Sequence, residues 1–251
     1  MKRPPLILIS SSSQQLGEEF DDSSVSLSHC YSRAIQAAGG IPWVLPVTVP
    51  PEAACECVSR CDGVMLSGGN DIQPKIYQDE VQPFLAETVG PANPERDALE
   101  IALVEAVFQL KKPLFAICRG HQLLNVAMGG NMIIDISREK PDSIKHQCMD
   151  QKDKPVHELR LLPNSLLHRI MNKDTIQVNS THHQAVGRLA KLFTASAVSP
   201  DQIIEGLELS PEHTSLLPCL LSVQFHPERL YEKYPEFFRL FRYFIIASEK
   251  Q

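Results

Sequence analysis

The chain has 251 residues, 43% of them hydrophobic, which is enough for one substantial core and most naturally one large domain over residues 1–251. Its formal net charge of −6 argues against nucleic acid or an acidic membrane surface as a partner, and no run approaches the roughly 20 apolar residues of a membrane-spanning helix. Seven cysteines without framework spacing fit a reducing compartment, and the apolar run at residues 6–9 behind Lys2 and Arg3 is too short for a signal-peptide core, so a cytoplasmic protein is expected.

In chain order, Leu6–Ser10 reads as a buried strand and residues 28–38 as a helix stopped by Gly39-Gly40. Residues 43–45 between two prolines, and Gly63–Leu66, read as further strands. Asn93-Pro94-Glu95 opens the clearest helix with a cap residue, a proline at the first helical position and an acid in the first turn. Lys111-Lys112-Pro113 closes it, with cations at the negative end of the helix dipole. A strand at 113–117 and a helix at 120–128 follow. Short apolar runs alternating with helices predict an α/β fold with a largely parallel central sheet flanked by helices. Beyond residue 157 the strand signals crowd together, at 159–162, 175–179, 193–198, 203–209 and 217–225, which predicts some antiparallel strands in the C-terminal part. A terminal helix at 234–248 carries Phe237, Phe241 and Phe244 on one face and Arg239 and Arg242 on another, a core-packing pattern rather than a membrane surface.

The informative stretch is Leu114-Phe115-Ala116-Ile117-Cys118-Arg119-Gly120-His121-Gln122. A buried strand ends at a cysteine flanked by small residues two before and two after it, and a helix begins at once. That is the pattern of a nucleophile elbow, whose tight turn excludes large neighbours. It sets the sulfur at a helix N-terminus, where the dipole favours thiolate, and aims the Arg119 N–H at a forming oxyanion. The plain alternative is an ordinary buried cysteine.

Near the C-terminus, Gln224-Phe225-His226-Pro227-Glu228 supplies a base and a carboxylate. Residues two apart in an extended chain share a side, so His226 and Glu228 are expected side by side at a strand end, the glutamate fixing the imidazole. Alone, such a pair is equally a surface pair. In Leu66-Ser67-Gly68-Gly69-Asn70-Asp71, two glycines after a strand let backbone N–H groups approach a ligand, and Gly69 is a candidate second oxyanion donor; a plain turn is the alternative.

Taken together, the Gly-Gly loop, Cys-x-Gly-x-Gln and a late His-x-Glu resemble the class I glutamine amidotransferase (flavodoxin-like) fold. More narrowly, residues 67–74 with Tyr77, Arg96-Asp97 with Glu100, residues 118–127 with Gly129-Gly130, and residues 179–184 resemble the γ-glutamyl-γ-aminobutyrate hydrolase family of cysteine peptidases, peptidase C26. The resemblance spans most of the chain. It implies Cys118 as nucleophile, His226 as base, Glu228 as orienter, and Gly69 with Arg119 as oxyanion hole. It further implies Gln122 against a γ-glutamyl group, and His182, His183 and Gln184 on a substrate-side loop. Ala116 departs from the glycine usual in amidotransferases, and a slightly altered elbow is expected.

The expected activity is hydrolysis of a γ-glutamyl amide of a small amine through a thioester, with a small-molecule substrate, no metal and no organic cofactor. Cys55, Cys57 and Cys61 form C-x-C-x3-C, but no second ligand pair stands at zinc-finger spacing. His182-His183 are set aside as a metal pair because adjacent side chains diverge. Two rivals stay open: a glutaminase subunit feeding ammonia to a synthetase, which needs a partner because the chain carries no P-loop, and a silent binding module on the same scaffold. A homodimer is left open.

Overall fold

The run Leu6–Ser10 forms β1, and a polar hairpin of β2 (Ser12–Gln14) and β3 (Ser24–Ser26) follows it. The computed structural model describes residues 3–18 and 20–249; Met1, Lys2, Glu19, Lys250 and Gln251 lie outside the described residues. Helix α1 (His29–Ala38) starts at Ser28, whose hydroxyl accepts the Cys30 N–H, and stops at Gly39 with φ 97°. Strand β4 (Ile41–Leu45) is longer than the 43–45 expected, because it is a sheet edge paired only with β1, and an edge accepts Pro42. Next come α2 (Ala54–Ser59), β5 (Gly63–Leu66) and the short α3 (Pro83–Ala86). Helix α4 (Pro94–Leu110) is capped by Asn93, whose Oδ1 accepts the Arg96 N–H at 3.0 Å. It ends with Lys111 itself in the left-handed region, at φ 52°. Strand β6 (Leu114–Ile117) then runs into α5 (Arg119–Ala127) through Cys118.

The second half contains β7 (Met132–Ile133), α6 (Ile136–Glu139), β8 (His157–Leu161), α7 (Leu166–Met171), β9 (Thr175–Val178) and β10 (Ala185–Val186). Strands β11 (Phe193–Val198), β12 (Ile204–Leu209) and β13 (Leu220–Val223) precede α8 (Phe238–Ser248). The terminal helix begins later than expected, because Pro235 opens a 3₁₀ turn over Pro235–Phe237 before the α-helix takes over. The main sheet has the order β4-β1-β5-β6-β13-β12-β11-β8-β9. It is parallel from β4 to β13 and antiparallel from β13 to β9.

Burial follows that division. Strands β5, β6 and β13 are buried at every position, as strands covered on both faces must be. Strand β8 alternates buried and exposed residues, with one face in solvent. Alternation within the central strands splits the core into two layers. Ile7, Ile9, Met65, Phe115 and Val223 face α1 and α8, where the Phe115 ring lies 5.4 Å from Phe241 and 5.7 Å from Phe244 between centroids. Leu8, Val64, Leu66, Leu114 and Ala116 face α2, α4 and α5. The loops leaving β5, β6 and β13 emerge on adjacent strands at the carboxyl edge, where open α/β sheets place their ligands.

Candidate active site

Cys118 joins β6 to α5 with φ 51° and ψ −105°, a conformation that side-chain-bearing residues rarely adopt. Its N–H continues the sheet by bonding Val223 O at 2.9 Å, and its carbonyl accepts the Gln122 N–H at 3.1 Å. The small neighbours have concrete reasons. A Cβ at Gly120 would stand 2.5 Å from Leu66 O, so α5 could not approach β5. A Cβ at Gly68 would stand 2.7 Å from the Tyr31 hydroxyl and 2.8 Å from His226 Cε1, with Cys118 Cβ at 3.5 Å. The glycine loop, the sulfur and the imidazole therefore meet.

His226 is clamped by Asn179, which accepts the His226 N–H at 2.9 Å and donates to its carbonyl at 3.2 Å. Its Nδ1 lies 2.7 Å from Glu228 Oε1, and Glu228 is fully enclosed. The pair forms by a route other than strand alternation. Strand β13 stops at Val223, and Pro227 opens a 3₁₀ turn over Pro227–Arg229, a position its missing N–H suits. Burial alone would lower the His226 imidazole; the Glu228 carboxylate, and then the Cys118 sulfur, outweigh it and push the group up to about 10.

Arg119, the first residue of α5, has an N–H with no intrahelical acceptor, and Gly69 packs against its side chain. The Arg119 guanidinium binds Glu100 and Asp97, while Arg96 binds Glu100 at 2.8 Å and donates to Ser67 O, Ser67 Oγ and Gly68 O. Two arginines and two acids, all buried, thus tie the glycine loop to the elbow. Burial would raise the Glu100 carboxyl, but Arg119 and Arg96 hold it below its ordinary range. Arg96, Asp97 and Glu100 carry only the family resemblance in sequence, with no role of their own, whereas Arg119 is expected there for its N–H.

Tyr31 was not anticipated. Its hydroxyl accepts the Gly68 N–H at 2.9 Å, and burial, then the charges of Glu228 and Cys118, hold it well above the usual tyrosine range. As one apolar-face position of α1, it carried no sequence signal.

The residues expected around the substrate separate. Gln122 gives its Nε2 to Gln184 O at 2.9 Å and Gln224 Oε1 at 3.0 Å, which leaves only its carbonyl oxygen free. His182 and Gln184 are buried, with His182 Nδ1 donating to Gln184 O and its Nε2 facing Glu205. His183 turns the other way, with Nε2 3.1 Å from Asp71 and Nδ1 3.1 Å from Asp135. The Asp71 hydrogen bond, against the cost of burial and helped by Asp135, pushes it up to about 8. Beside Gly69, Asn70 lines a groove of about 720 Å³ with Ser12, Ser13, Ser24, Asn93 and Glu95. Cys55, Cys57 and Cys61 range from exposed to buried and do not converge. Among the described residues no helix is long and apolar enough to cross a membrane.

The fold is that of class I glutamine amidotransferases, and the chain is a hydrolase acting on C–N amide bonds. It belongs to the Peptidase C26 family, whose family model matches residues 5–228. Protein NtpR of Enterococcus hirae is 39% identical over 199 residues, 79% of each chain. The γ-glutamyl-γ-aminobutyrate hydrolase PuuD of Escherichia coli is 30% identical over 232 residues, 89% of this chain and 87% of that one. Among solved structures, the glutamine amidotransferase of Methylobacillus flagellatus aligns with a TM-score of 0.51 at 14% identity, covering 91% of this chain and 71% of that one. A structure from Thermoplasma acidophilum aligns with a TM-score of 0.61 at 16% identity, over 98% and 95% of the two chains.

Proposed function

We propose that the protein hydrolyses a γ-glutamyl amide of a small amine through a Cys118 thioester. The observation that carries this reading is the buried junction of Cys118, at φ 51° on a strand–helix elbow, with an imidazole whose Nδ1 lies 2.7 Å from the Glu228 carboxylate. Cys118 Sγ, its proton already passed to His226, attacks the γ-carbonyl carbon. The oxyanion is met by the N–H groups of Arg119 and Gly69. The imidazolium returns the proton to the departing amine nitrogen, and the C–N bond breaks. A water then attacks the thioester, His226 takes its proton and keeps it as the C–S bond breaks, and glutamate leaves. Glu228 holds the tautomer and stabilises the imidazolium. Seven free cysteines fit a reducing, cytoplasmic setting for such a nucleophile.

The leaving amine is larger than ammonia in this reading, and the groove lined by Asn70, next in the chain to Gly69, would give it room. Contacts there lower the barrier for a substituted amide in a way that ammonia cannot match. His183 is less suited to gripping a carboxylate-bearing amine than its sequence position implies, since both ring nitrogens face carboxylates. The test is kcat/KM of the purified protein, alone, for γ-glutamyl-γ-aminobutyrate and for glutamine. A higher value for the former is expected. Equal values, or turnover only with a synthetase present, would favour the glutaminase-subunit reading, and no turnover of any γ-glutamyl amide would favour the silent module.

A further inference from the structure

A second buried histidine–glutamate cluster lies outside this machinery. It gathers His146, before β8; His157, the first residue of β8; His182, in the loop before β10; and Glu205 of β12, all buried. One carboxylate oxygen, Glu205 Oε1, is approached by His146 Nδ1 at 3.2 Å, His182 Nε2 at 3.4 Å and His157 Nε2 at 3.6 Å. The His146, His182 and Glu205 ligand atoms all lie within 4.8 Å of one another.

The opposite nitrogen of each ring is already committed. His146 Nε2 lies 3.0 Å from Asp201 Oδ2, His182 Nδ1 lies 2.9 Å from Gln184 O, and His157 Nδ1 lies 3.3 Å from Glu158 O. Carboxylates and carbonyls only accept, so these three nitrogens carry the protons. That leaves, on each ring, the nitrogen that faces Glu205 as the one open to a ligand. His157 Nε2, His182 Nε2 and both Glu205 oxygens are buried without a hydrogen-bond partner, and Ser180 Oγ lies 3.4 Å from His146 Nδ1. Such a set is costly unless a cation occupies its centre.

The geometry points to a bound divalent transition-metal ion, of the zinc class, held by His146, His182 and Glu205 with His157 closing in as the fourth ligand. Four ligands with bonds of about 2.0–2.1 Å at tetrahedral angles stand about 3.3–3.4 Å apart, which is the spacing of the nitrogens around Glu205 Oε1 and is long for hydrogen bonds. A carboxylate or backbone carbonyl behind each imidazole is the arrangement that orients metal-ligating histidines. With four protein ligands the site is closed, which makes the ion structural rather than catalytic. It would fasten segments remote in sequence that the backbone already bridges, through His182 N to His146 O and Cys148 N to Ser180 O. This revises the expectation of no metal, which rested on the absence of ligand pairs at finger spacing.

The test uses the full chain carrying Cys118→Ala, so that the candidate catalytic sulfur is not a ligand, purified without a histidine tag or chelator. Elemental analysis is expected to find about one zinc per chain. Stripping with a chelator should lower Tm, and zinc should restore it. Cobalt added to the stripped protein should give the intense visible bands of a tetrahedral ion, without a thiolate charge-transfer band, and Glu205→Gln should abolish them. Should that variant fail to fold, the cobalt spectrum of the otherwise unchanged protein decides. Protein isolated without metal whose Tm responds to neither zinc nor cobalt would overturn the proposal, as would a cobalt spectrum carrying a thiolate band or surviving Glu205→Gln.

Discussion

Two buried clusters in this protein combine histidine with glutamate, and they differ in ratio and in what faces the free nitrogen. Around Cys118, one imidazole meets one carboxylate through Nδ1, and its other side meets a sulfur that can exchange a proton. Around Glu205, three imidazoles converge on one carboxylate, each with its far nitrogen pinned by an acceptor. The first arrangement suits proton exchange; the second turns several ligand atoms toward one point and suits a cation. Residue types alone do not separate these chemistries. The partner behind each ring does, because it fixes which nitrogen offers a lone pair.

Breaking the first cluster has the largest expected effect. His226→Ala should lower kcat by roughly a thousandfold or more, and Glu228→Gln by on the order of a hundredfold, since glutamine keeps a hydrogen-bond partner but loses the charge that stabilises the imidazolium. The pH profile separates the two roles. A pKa raised to about 10 means that wild-type His226 keeps its proton through neutrality and loses it only as pH rises toward that value. Glu228 supplies the largest raising contribution, so in Glu228→Gln the alkaline fall of kcat/KM should move to lower pH. An unmoved alkaline limb would take the imidazolium out of the rate-determining chemistry.

A third buried cluster sharpens the contrast, because its charges balance without histidine. Arg119→Met leaves Asp97 with Gln73, and Glu100 with Arg96 and Ser10, inside a fully enclosed network. Loss of one partner from a buried ion pair should cost about 3–5 kcal/mol in urea denaturation, and Arg119→Met with Asp97→Asn should recover part of it. A loss below about 1 kcal/mol would mean that water reaches the network and the loop is held by other contacts.

The central strands were legible because fully buried parallel strands are continuous apolar runs, as at Gly63–Leu66 and Leu114–Ile117. Helix α4 was legible at both ends from Asn93-Pro94 and Lys111-Pro113. The hairpin of β2 and β3 was not, since Ser12–Gln14 and Ser24–Ser26 carry too little apolar character, and the two-residue strands β7 and β10 show no period. In the site, Cys118 was visible because an elbow dictates its neighbours' sizes. The pairing of His226 with Glu228 was expected, but through strand alternation, whereas Pro227 turns the chain instead. His182 and His183 do diverge, yet His182 turns toward partners at positions 146, 157 and 205 that no local spacing announces.

The central claim is that Cys118 forms a γ-glutamyl thioester, and the most direct test is intact-mass and peptide analysis of protein acid-quenched during turnover of γ-glutamyl-γ-aminobutyrate. One γ-glutamyl unit should be found on the peptide containing Cys118, labile to hydroxylamine and absent from Cys118→Ala. Steady turnover with no adduct at Cys118, or an adduct on another of the cysteines, would contradict it.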